Sequence, residues 1–167
     1  MNKKLGMYLL VGAAVALTGC NKKMKPFASE YFTTNPTPLT VVGDSKVPAT
    51  ITANVPQKFF KKNAQVTVTP YLVFGNDSVA SKAYTFQGEK VKGNNPVINY
   101  DSGGTVTIPA NWVYQPDMAK SDLYLNFNVI QGKKSYVLPR VKVGEGVNAT
   151  VTLADAGAVD PATAHDK

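Results

Sequence analysis

Val47, Ala49, Ile51, Ala53 and Val55 alternate with Lys46, Pro48, Thr50, Thr52 and Asn54. Successive side chains of a strand point to opposite faces of its sheet, so a period of two predicts a strand with one dry face and one wet face. Pro48 lacks an N–H and puts the start of that strand at an edge or a bulge. Ala64, Val66, Val68, Leu72 and Phe74 repeat the alternation. Gly75-Asn76-Asp77-Ser78 then supplies turn chemistry, and Val79–Gln87 reads as the returning strand. Shorter strands are predicted at Val97–Tyr100 and Thr105–Ile108, on either side of Asp101-Ser102-Gly103-Gly104.

Leu123, Leu125, Phe127 and Val129 alternate with Tyr124, Asn126, Asn128 and Ile130. Gln131-Gly132-Lys133-Lys134 predicts a hairpin turn into Ser135–Leu138, and Val141–Val143 and Val147–Leu153 complete the series. No stretch carries a helical apolar stripe. Seven to nine short strands with turn residues between them predict an all-β fold, an antiparallel sandwich of immunoglobulin-like type. The Cys…Trp…Cys signature of antibody domains is absent, so only the architecture is implied. The predicted domain covers residues 39–153, long enough to bury a core of its own. Residues 154–167 are alanine-rich and aspartate-rich and read as a disordered tail.

The first residues, MNKKLGMYLLVGAAVALTGC, have a different character. Lys3 and Lys4 precede a 13-residue run from Leu5 to Leu17 without a charge. A helix needs roughly 20 apolar residues to span a bilayer, so this run has the length of a signal-peptide core. Leu17-Thr18-Gly19-Cys20 then resembles a bacterial lipobox, in which the cysteine receives diacylglycerol and becomes the acylated N-terminus. Residues 1–19 are thus expected to be a lipoprotein signal peptide, Cys20 the lipid attachment site, and residues 20–38, with three prolines, a lipidated tether. Lys22, Lys23 and Lys25 sit just behind the anchor, where they can face anionic headgroups or simply be solvated.

Composition narrows the chemistry. Cys20 is the sole cysteine and His165 the sole histidine among 167 residues. A disulfide within the chain, a cysteine zinc cluster, a multi-histidine metal site and a Ser-His-Asp triad are therefore not expected, and neither is any cofactor. The chain is basic, with 18 Lys and Arg against 11 Asp and Glu, but Arg140 is its one arginine and export argues against nucleic acid. The acids sit largely in predicted turns; a folded pairing such as Asp101 with Glu145 would be needed for glycosidase chemistry. Trp112 and Tyr114, with Pro116 nearby, offer a sugar-stacking platform, or equally one inward side of a strand. Phe59-Phe60-Lys61-Lys62 reads either as a membrane-touching loop or as an inward phenylalanine flanked by solvated lysines.

Three stretches carry a family resemblance: Pro56–Ala64 running into Val66–Pro70, Phe86–Asn95, and Ser121–Leu125 with Val141–Val147. Here the chain resembles the N-terminal β-domain of Bacteroidota outer-membrane lipoproteins of the outer membrane protein A-like family, over Leu39 to Leu153. The resemblance implies a non-catalytic structural or protein-interaction module of the cell envelope, attached to the outer membrane, with an envelope protein as partner. It carries over no catalytic residue. Longer members end in a peptidoglycan-binding module that is not found here, so peptidoglycan contact is expected to be indirect if it occurs. Surface export in that lineage is associated with acids behind the acylated cysteine. Asn21-Lys22-Lys23-Met24-Lys25 is basic and the first acid is Glu30, which implies a domain facing the periplasm.

Overall fold

The alternating stretches fold as strands whose apolar positions all turn to one interior. In chain order these are β1 (Phe32–Asn35), β2 (Thr40–Val41), β3 (Lys46–Val55), β4 (Ala64–Phe74), β5 (Asp77–Ala80), β6 (Tyr84–Gly88), β7 (Val97–Ile98), β8 (Gly104–Val113), β9 (Asp122–Gln131), β10 (Lys134–Lys142) and β11 (Thr152–Leu153). The computed structural model describes residues 24–37, 39–143 and 152–153. The signal peptide, Cys20, Lys22, Lys23, Glu145, most of the strand expected over Val147–Leu153 and the tail from residue 154 lie outside the described residues.

The fold is all-β and sandwich-like. One sheet has the order β1-β3-β8; the other runs β10-β9-β4-β6-β7, with β5 also paired to β4. β2 and β11 form a separate parallel pair. Buried residues from both sheets pack into one core: Val47, Ile51 and Ile108 from the first face Val66, Val68, Leu125 and Val129 from the second. Burying each such side chain contributes about 1.5–3 kcal/mol. The described strands number eleven, more than the expected seven to nine, because β1 and β2 add to the expected set and the stretch Val79–Gln87 yields two.

Two departures from the predicted strands trace to proline. The single strand expected over Val79–Gln87 is two, β5 on residues 71–74 of β4 and β6 on residues 65–68. Between them sits Pro70, whose carbonyl accepts the Ser81 N–H at 2.8 Å. In an antiparallel ladder the N–H and C=O of one residue face the same neighbour, so Pro70 offers that neighbour an acceptor and no donor. The partner strand breaks there. Buried Ser81 turns its hydroxyl to the other sheet and accepts the Asn111 N–H of β8 at 2.8 Å. Conversely, Ser135–Leu138 and Val141–Val143 were expected as two strands and are essentially one, β10. Its register against β9 slips between Leu138 and Val141, a bulge that accommodates Pro139 on an edge strand.

The larger correction concerns residues 20–38, expected as a tether. Phe27 is buried, Ser29–Tyr31 form a 3₁₀ turn, and β1 pairs with β3 from Phe32↔Ala53 to Asn35↔Thr50. The folded domain therefore begins near Phe27 rather than Leu39. Phe27, Tyr31 and Phe32 lack any period of two, which is why alternation misses them, yet three aromatic rings in a spacer were a signal of burial. Phe27→Ala should cost about 3–5 kcal/mol, the range for an aromatic ring removed from a core. Urea unfolding measures it; a true tether residue would shift the midpoint hardly at all.

Candidate functional site

Trp112 and Tyr114 do not form a platform. Trp112 lies on the inner face of β8 with 2% of its surface exposed, while its neighbour Val113 is 67% exposed on the outer face. Tyr114 is partly buried against the same core. The faces of the Trp112 ring that would stack on a sugar are covered by the protein, and the stacking alternative loses its central residue. Asp101 lies on the surface, where it pairs with Lys62 at 2.7 Å. Among the described residues no three His, Cys, Asp or Glu side chains come together as a metal site would need.

The described feature with shape and charge is the end of the sandwich where the chain enters from its N-terminus. The β3–β4 loop, Pro56-Gln57-Lys58-Phe59-Phe60-Lys61-Lys62-Asn63, closes this end. Phe60 turns in and meets Tyr100 edge-on at 5.3 Å between centroids. Phe59 stacks on Phe27 at 4.5 Å and 14°. With both rings held inside, the lysines on either side can only point out. The segment thus packs Phe60 inward and leaves Phe59 partly exposed, both flanked by exposed lysines.

Hydrogen bonds to its backbone fix the loop from three directions. The Lys58 N–H donates to the Tyr100 carbonyl at 2.6 Å, and Lys58 itself has φ +58°, a left-handed conformation uncommon for a lysine. The Lys61 N–H donates to Gln131 Oε1 at 3.3 Å, which sets the β9–β10 hairpin beside the loop. The Lys90 N–H donates to the Lys62 carbonyl at 3.0 Å, which brings in the loop after β6. That loop is organised by Gln87, which is 1% exposed: its Nε2 donates to the Val91 carbonyl at 3.0 Å and its Oε1 accepts from Asn95. Gly88 makes the close approach feasible, since a Cβ there would lie 2.2 Å from the Lys62 carbonyl oxygen.

These contacts gather charges that are far apart in the chain. Lys25, Lys58, Lys61, Lys62, Lys90, Lys133 and Lys134 ring this end, against Glu30, Glu89 and Asp101. Between them lies an open groove of about 590 Å³, lined by Met24, Lys25, the Lys58–Lys62 segment, Asp101, Gln131 and Tyr136. The hydrogen bond and charge of Asp101 hold the Lys62 ammonium above the ordinary lysine range. Among the described residues no carboxylate pairs with Lys58, Lys61, Lys133 or Lys134. The opposite end, where β3 begins and β4 ends, carries Asp44, Asp77, Asp117 and Asp122 against Lys46, Lys120, Lys142 and Arg140, which lies over Tyr124. β4 separates the two ends by roughly 35 Å at about 3.3 Å per residue. The domain is thus polarised along its long axis.

Neither a family model, nor a curated protein, nor a solved structure matches the chain. Among the described residues no helix is long and apolar enough to cross a membrane.

Tyr100 carries the loop from below: it is 1% exposed, and its hydroxyl donates to the Ala64 carbonyl at 3.4 Å. Burial pushes its phenol well above the usual tyrosine range, because the phenolate would forfeit its water. The stabilisation from a raised phenol is complete below pH ~10, where the unfolded phenol holds its proton, and falls as pH rises further. One such group costs about 1.4 kcal/mol per pH unit above that point. Tyr100→Phe should therefore lose about 1 kcal/mol at neutral pH with the hydrogen bond and show a shallower loss of stability above pH ~10. Urea melts of the two proteins in both pH ranges check both halves.

Proposed function

We propose that this chain is an outer-membrane lipoprotein, anchored by acyl chains on Cys20. Its β-domain is a non-catalytic module that engages another envelope protein from the periplasmic side. The observation that carries the reading is the order of signals at the N-terminus: Lys3 and Lys4, the 13-residue apolar run, then Leu17-Thr18-Gly19-Cys20. Two or three acyl chains would hold the protein durably, each buried methylene contributing about 0.8 kcal/mol. The resemblance to outer membrane protein A-like lipoproteins favours the same location. A structural role accords with Asp44, Glu89 and Asp101 sitting in turns, Asp101 being engaged by a lysine.

The strand order supports the finer, immunoglobulin-like reading of the fold. The chain passes from β3 in one sheet to β4 in the other, returns at β8, and crosses again to the β9–β10 hairpin. Crossings of this kind between a three-stranded and a larger sheet are those of an immunoglobulin-type Greek key. The basic segment Asn21–Lys25 supports a periplasmic domain.

Replacing Cys20 by alanine should leave an unprocessed precursor that incorporates no labelled fatty acid; normal maturation of that variant would overturn the lipoprotein reading. For orientation, protease added to intact cells should spare the domain and digest it once the outer membrane is permeabilised. Digestion on intact cells would place the domain outside.

A further inference from the structure

We infer that the lysine-bearing end of the sandwich is a docking surface for anionic phospholipid headgroups, so that the domain stands on the membrane instead of swinging from it. The inference rests on the anchor reading for one quantity, the length of free chain. Cys20 precedes Met24 by four residues, and Met24 already packs against the core beside Lys25 and Phe59. Four residues reach at most about 14 Å when fully extended. A lipid on Cys20 therefore keeps this end, and no other, within a short distance of the headgroup plane. That distance is comparable with the ~8 Å over which charges act at physiological salt.

The charge distribution suits that position. Seven lysines against three carboxylates face the anchored side, while the far end balances four carboxylates against three lysines and Arg140. An anionic surface would attract the near end far more than the balanced far one, which gives a torque as well as an attraction. All the near-end cations are lysines, compact charges on flexible stems that can follow a fluid layer of headgroups. Arg140, suited to planar bidentate recognition, is occupied elsewhere, 4.2 Å from the centroid of the Tyr124 ring. The partly exposed Phe59 beside them adds an apolar contact at the same level.

The test is a lysine footprint on the whole protein in vesicles of phosphatidylcholine, with and without phosphatidylglycerol, using a membrane-impermeant amine-acylating reagent and mass spectrometry. Lys58, Lys61, Lys133 and Lys134 should react several-fold more slowly on the anionic vesicles, Lys46 and Lys120 equally on both, and raised salt should erase the difference. Combining Lys61→Gln, Lys133→Gln and Lys134→Gln, all at exposed positions, should weaken the protection of Lys58, at about fivefold in surface affinity for each lysine removed. Equal labelling at both ends on anionic vesicles overturns the proposal, as does protection that salt does not touch. Protection in native membranes without protection on the anionic vesicles also overturns it, and points to an acidic protein instead. The intact mass separates this from the anchor reading. An unmodified Cys20 sinks the lipoprotein assignment while the footprint still reports on the surface. An acylated Cys20 with a flat footprint sinks the surface alone.

Discussion

The aromatic cluster around Phe27 is the contact on which the rest of this molecule's shape depends. Phe27 stacks on Phe59, meets Phe60 edge-on at 5.4 Å, and lies 5.5 Å from Phe32 and 4.7 Å from Phe127. One ring thereby joins the N-terminal segment, β1, the β3–β4 loop and β9. Dispersion between rings in offset and edge-on arrangements adds to their area burial, so the five residues resist separation as a unit. Remove that unit and three things lose their support: β1 at the sheet edge, the inward set of the loop, and the fixed point from which the N-terminal chain departs.

The loop shows how apolar packing creates a polar surface. A segment that reads Lys-Phe-Phe-Lys-Lys must choose which side chains to bury, and charge decides, since an unpaired ammonium in a core costs far more than an exposed phenyl. With Phe60 inside and Phe59 stacked, Lys58, Lys61 and Lys62 are left outside. Lys58 accepts a left-handed backbone as part of this arrangement, held by its hydrogen bond to the Tyr100 carbonyl. The basic end of the domain is thus a by-product of closing the core. Its functional value comes from where the chain enters.

Polar groups inside the sandwich work as joints. Ser81, buried at a break between strands, ties Pro70 of one sheet to Asn111 of the other. Gln87 folds the loop after β6 around its own amide, and with it sets Lys90 against the backbone of Lys62. Each is satisfied by hydrogen bonds, as a buried polar group must be to avoid a penalty of about 1–3 kcal/mol. Such residues fix loops in one place, where apolar contacts alone would allow several.

The sequence by itself determined three of the long strands and the face each one buries, while β8 extends to Val113, well past the expected Thr105–Ile108. β3, β4 and β9 lie where alternation put them, because a period of two is a local property and burial of one face is all it requires. It determined the hairpin at Gly132-Lys133 as well, since a positive φ of 65° at Gly132 is a property of glycine and not of its surroundings. Tertiary structure alone decided the rest. It brought Phe27 into the core, although nothing periodic marks it, and it put Trp112 inside, where its sequence neighbourhood allowed either face. It split the expected Val79–Gln87 strand opposite Pro70 and joined two others across Pro139, because a missing N–H matters only once the neighbouring strand is known. And it assembled the basic end from Lys25, the Lys58–Lys62 segment, Lys90 and the Lys133–Lys134 turn, positions spread over more than a hundred residues. Charges act through space, whereas the chain orders them along a line; only the sandwich topology converts one into the other.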